Sequence, residues 1–179
     1  MIFSAQLFCA QGKSWEKRNE EHLKEIRKII NLFLKSKLNK QTLIKLLNKK
    51  IKNIYLYDPE WISWNKKKDS GNLFIETEKY TVVLIYGGDR QRRDNNQPAF
   101  RIEFYSKNGF PISFLVDIFG KWKYYNEKVK IPSFWFEKKI SNNRIVNISA
   151  NRIYGPRKKP MKCICSKFSM GIEKIKNEK

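Results

Sequence analysis

The chain has 179 residues, a length that suits one domain and allows roughly 70% of the surface of the unfolded chain to be buried. Apolar residues make up 41% and aromatic residues 14%, which is enough for a packed core and excludes a disordered or low-complexity chain. Against 17 Asp and Glu stand 38 Lys and Arg, a formal net charge of +21; such a field attracts polyanions and acidic surfaces without specifying a fold.

Residues 1–12 carry no charge, and the run Met1 to Gln11 is rich in aliphatic, aromatic and sulfur side chains. They read as the remnant of a signal peptide or as an N-terminal strand. The abrupt change to Lys13, Glu16, Lys17 and Arg18 favours export, to the periplasm or outside the cell, over a cytoplasmic setting. Nothing later approaches the ~18 apolar residues of a membrane span. A single α+β domain is expected over 13–156, followed by a basic tail over 157–179.

From Trp15 to about Leu38, Leu23, Ile26, Ile30, Phe33 and Leu34 recur at three- and four-residue spacing, which predicts an amphipathic helix. Asn39 is a candidate N-cap for a second helix, with a stripe of Leu43, Ile44, Leu46, Leu47 and Ile51. The lysines between these positions suit the solvated side that any such helix must show. Asp58-Pro59 then breaks the helical pattern.

Beyond Gly71 the period becomes two. Tyr80, Val82, Leu84 and Tyr86 alternate with Thr81, Val83 and Ile85, and Phe100, Ile102 and Phe104 alternate with Arg101, Glu103 and Tyr105. Ile112, Phe114, Val116 and Ile118 extend the rule to a third strand, with Asn108-Gly109 as the hairpin turn before it. Val129–Phe136 with Pro132 predicts an edge strand, Asn142-Asn143 a turn, Ile145–Ile153 a further strand, and Gly155-Pro156 the end of the sheet. The order predicts an N-terminal helical hairpin packed on a curved antiparallel sheet, as in cystatin-like or NTF2-like folds.

Few residues point to chemistry. No phosphate loop, nucleophile elbow or His-Glu-x-x-His sequence occurs. The one histidine, His22, reads as a surface or half-buried imidazole, and with Cys9, Cys163 and Cys165 it makes too small a set for a zinc site or a disulfide framework. No metal or cofactor is expected. Glu103 and Asp117 are the one acidic pair suited to general acid–base work, and pairing with Arg101 or a neighbouring lysine competes with that role. The spacing of Asp89, Glu103 and Lys107 matches a nuclease pattern only loosely.

Two basic clusters are the predicted binding residues. Arg90, Arg92 and Arg93 occupy a long loop between two strands, where planar guanidinium groups suit carboxylate or phosphate oxygens. Arg152, Arg157, Lys158 and Lys159 surround Pro156 and Pro160. Together these features predict a basic, non-enzymatic binding protein for an acidic protein or envelope polyanion, of the inhibitor or immunity type. A nucleic-acid-binding protein is the alternative, and an enzyme with carboxylates on the sheet is a third reading.

Overall fold

A computed structural model describes residues 20–57, 72–85, 99–126, 133–155 and 159–174. The amphipathic stripe near the N-terminus forms helix α1 over 20–34, with Ile26, Ile29, Ile30 and Phe33 buried. It reverses at Ser36, whose φ of 55° lies in the left-handed region. There the Lys37 N–H donates to the Leu32 carbonyl at 2.9 Å, which satisfies one of the carbonyls a helix end leaves open. Helix α2, Lys40–Leu47, starts on Asn39 as the sequence predicts. Thr42 N–H donates to Asn39 Oδ1 at 2.8 Å, and Asn39 N–H donates to Thr42 Oγ1 at 2.9 Å, a reciprocal cap. Ile51, expected in this helical stripe, instead opens a strand, because a single 3-10 turn at Asn48–Lys50 ends the helix.

The strands are β1 Ile51–Tyr57, β2 Asn72–Thr77, β3 Thr81–Ile85, β4 Arg101–Pro111, β5 Tyr124–Asn126, β6 Ser133–Ser141, β7 Arg144–Tyr154 and β8 Ile164–Lys174, with helix α3 Ile112–Phe119 between β4 and β5. They form one sheet in the order β1-β2-β3-β4-β8-β7-β6-β5, and every neighbouring pair is antiparallel. Two four-stranded meanders are therefore joined at a β4–β8 seam, with α3 carrying the chain from the first to the second. The fold is α+β, with an antiparallel sheet. No described helix is long and apolar enough to cross a membrane.

Three expectations change. Ile112–Phe119 is a helix, not a strand; both Phe114 and Leu115 are buried, which strict alternation forbids, and Gly120 closes the helix at φ 84°. Asn108-Gly109 makes no hairpin and lies inside β4. Between Tyr105 and Phe110 that strand advances five residues while β8 retreats two, from Lys167 to Cys165, so the extra residues form a bulge. Nor does the sheet end at Gly155-Pro156, since β8, drawn from the segment read as a tail, is a central strand.

The bulge depends on Gly109, whose φ is 74°. A Cβ there would stand 2.2 Å from Ile164 Cγ2 and 3.0 Å from the Cys165 carbonyl oxygen. Gly109→Ala is expected to cost about 1–3 kcal/mol through backbone strain alone. A urea midpoint equal to that of the unaltered protein would refute this account of the bulge.

The core fills one face of the sheet. Ile54, Ile75, Val82, Phe104, Phe168, Ala150, Phe134 and Tyr125 face one another in a row across all eight strands. All but Ile54 pack, with α1, α2 and α3, into a single hydrophobic cluster. Cys163 and Cys165 are buried.

Candidate functional site

Alternation that turns one set of side chains toward the helices turns the other set away from them. On this second face the central row reads Tyr55, Phe74, Val83, Glu103, Ser169, Ser149, Trp135 and Tyr124. Aromatic rings thus stand toward both ends and small polar side chains in the middle. Tyr55 is 41% exposed, Trp135 48% and Tyr124 55%. The Tyr55 and Phe74 rings stack with centroids 5.1 Å apart.

Glu103 organises the middle. Its carboxylate accepts from Arg101 Nη2 at 3.0 Å, Lys167 Nζ at 2.9 Å and the Tyr105 hydroxyl at 2.5 Å. Burial pushes the Glu103 pKa up, but the Tyr105 hydroxyl and the Lys167 and Arg101 cations outweigh it and hold it below the usual carboxylate range. Arg101 also reaches Ser169 Oγ at 3.4 Å, and the hydroxyls of Ser169 and Ser149 lie 2.9 Å apart. Lys167 sits over the Tyr105 ring, 4.7 Å from its centroid.

Away from this middle, the charges nearly cancel. Glu76 accepts from Asn53 Nδ2 at 3.0 Å and from the Tyr55 hydroxyl at 3.1 Å, and Glu137 pairs with Lys123 at 2.5 Å. Among the described residues, the cationic excess of the chain is therefore not drawn from this face. The Glu103 cluster, with two cations on one carboxylate, is its locally positive point.

Arg90, Arg92, Arg93, Arg157 and Lys158 lie outside the described residues. Arg152 belongs to β7, and Lys159 is an exposed residue before the 3-10 turn Pro160–Lys162. Glu103 and Asp117 do not form a carboxylate pair, because Asp117 is an exposed residue of α3. Glu103 takes the competing role, in an ion pair with Arg101. Asp89 is outside the described residues, and the bulge removes the simple alternation that would have aligned Lys107 with Glu103. Sequence reasoning missed Tyr124 and Trp135. The signal was present in β7 and β8, where Asn147, Ser149 and Asn151 and then Lys167, Ser169 and Gly171 mark a polar face.

A second polar cluster lies where α1 meets the β2–β3 turn. A pocket of about 310 Å³ is lined by Glu21, His22, Glu25, Lys50, Lys79 and Tyr80, among others. Glu25 accepts from Lys50 Nζ at 2.6 Å and from the Tyr80 hydroxyl. His22 is buried, not on the surface, and its ring stacks against Tyr80 with centroids 5.8 Å apart. Burial lowers the His22 pKa below its usual 6.5, Lys79 and Lys50 act in the same direction, and Glu25 opposes them.

Neutral His22 is thus favoured in the folded state. Its contribution to stability is complete above pH 6.5 and is lost as pH falls through the lower folded value. Urea midpoints measured from pH 7.5 to 5 are expected to fall with acidity, and His22→Phe to flatten that stretch of the curve. An identical slope in the variant would remove His22 as the cause.

No family model, curated protein or solved structure matches this chain. Among the described residues, no group of three or more His, Cys, Asp or Glu side chains is arranged to hold a metal ion.

Proposed function

We propose that this is a binding protein, and that an acidic protein docks on the sheet face opposite the helices. The observation that carries the reading is the pair of aromatic groups, exposed Tyr124 and Trp135 on one side and exposed Tyr55 stacked on half-buried Phe74 on the other, flanking the buried Glu103 ion-pair cluster. Tyr, Trp and Arg are the side chains that dominate interface energetics.

Size favours a macromolecule. From β1 to β5 the face crosses seven strand spacings, roughly 33 Å, far wider than a small ligand and close to the breadth of a patch of about 800 Å². Charge selects the partner. A second copy of the chain would bring another +21, and a continuous phosphate backbone would meet Glu76 and Glu137 on the face. An acidic protein is drawn in by the overall field and can alternate its own side chains to match. An inhibitor or immunity role fits this mode of action. Export, expected from residues 1–12, belongs to the same reading, and N-terminal sequencing of native material tests it: an intact Met1 in cytosol would count against it.

Lysine-directed cross-linking in extract of the native host, read by mass spectrometry, tests the docking face. An acidic protein joined through Lys123 or Lys167 is expected, and it must bind again when both partners are purified. Cross-links confined to the helical lysines would overturn the reading. So would saturable binding of a 20-mer of deoxythymidine to this face at physiological salt.

A further inference from the structure

We infer that the middle of this face is a carboxylate subsite, where an Asp or Glu side chain of the docked protein sits above Gly171 and pairs with Arg101. This rests on the docking reading above and adds what the face recognises.

Gly171 lies between Arg101 on β4 and Asn147 on β7. A Cβ built on it meets nothing within 4 Å, so the row has an opening between two longer side chains. Along β8 the next residue on this face is Ser169, hydrogen-bonded to Ser149 and touched by Arg101. The opening is therefore bordered by one guanidinium, an amide and a pair of mutually bonded hydroxyls, which hold N–H and O–H groups able to donate to an oxygen, and at its other end by the exposed residue Glu173.

Arg101 is also the right cation for an incoming anion. Its side chain is 45% exposed, whereas that of Lys167 is 24% exposed and held over Tyr105. Glu103 is shared with Lys167, so within the cluster of Arg101, Lys167 and Glu103 one carboxylate faces two cations. A guanidinium presents further N–H groups in a planar fork, so Arg101 can keep Glu103 and bind a second carboxylate.

The probe is the peptide acetyl-Trp-Glu-Trp-amide, with acetyl-Trp-Gln-Trp-amide and inorganic phosphate as comparisons. It is titrated into the isotope-labelled full chain at physiological salt, and the amide resonances of Gly171, Ser169 and Ser149 are followed by NMR. The glutamate peptide is expected to shift these resonances saturably and to bind about tenfold more tightly than its glutamine counterpart. Arg101→Gln should erase that difference. Gly171→Leu, which fills open space without a clash, should block the peptide and leave the urea midpoint in place.

Equal binding of the two peptides, or an equal response to phosphate, would overturn the subsite. So would retention of the preference in both variants. A cross-linked partner that still required Trp135 and Tyr124 would show in that case that the docking reading survives and only the subsite fails.

Discussion

Replacing Phe168 by Ala is expected to remove about 3–5 kcal/mol of folding stability, the usual loss for truncating a buried phenylalanine. Phe168 is fully buried on β8 and stacks on Phe104 of β4 with centroids 4.6 Å apart, while Phe110 meets it edge-on at 4.9 Å. Among the described residues, the β4–β8 seam is the one sheet contact between the two meanders. A void there loosens both halves, and local collapse cannot fill it because Phe104 and Phe110 are themselves held in strand β4. With total stabilities of about 5–15 kcal/mol, such a loss brings the folded state close to its limit. Urea unfolding of Phe168→Ala beside Phe168→Leu measures it. The Leu variant should retain most of the stability, and a loss below about 1 kcal/mol in the Ala variant would mean the seam is not packed this way.

The second large effect concerns binding. Trp135→Ala and Tyr124→Ala should each weaken binding of the cross-linked partner by roughly 30-fold, the equivalent of ~2 kcal/mol for an aromatic anchor. The double variant should reach 100-fold or more, short of the product of the two because the rings are cross-strand neighbours. Both side chains are about half exposed on the side away from the core, so the urea midpoint should move by no more than about 0.5 kcal/mol equivalent. Isothermal titration of purified partner against each variant gives the numbers. Unchanged affinity in the double variant would place the partner elsewhere on the molecule.

The candidate site was legible in the sequence only in part. The pairing of Glu103 with Arg101 could be read because neighbours two residues apart on a strand share a face. The aromatic anchors could not. Phe134, Trp135 and Phe136 form an unbroken aromatic run, and such a run does not say which ring is core. Register decided it: Phe134 and Phe136 point to the helices, and Trp135 lies opposite Ser149 and Tyr124. The opening at Gly171 was hidden for a related reason, since it exists only because Arg101 and Asn147 come to stand on either side of it.

Local order in the chain determined α1, α2 with its Asn39 cap, the β3 alternation and the Asn142-Asn143 turn between β6 and β7. Each of these is dictated by residues a few positions apart, through helical or strand periodicity and capping. Tertiary structure alone decided that the apolar run Ile112–Phe119 coils, that Asn108-Gly109 is absorbed into a bulge, and that a segment after Gly155 returns to the centre of the sheet as β8. An apolar run satisfies either period, and a strand flanked on both sides by distant partners owes its place to their hydrogen bonds. The face where those distant strands meet, with Glu103 and Ser169 side by side across 66 residues of chain, is for that reason a property of the fold.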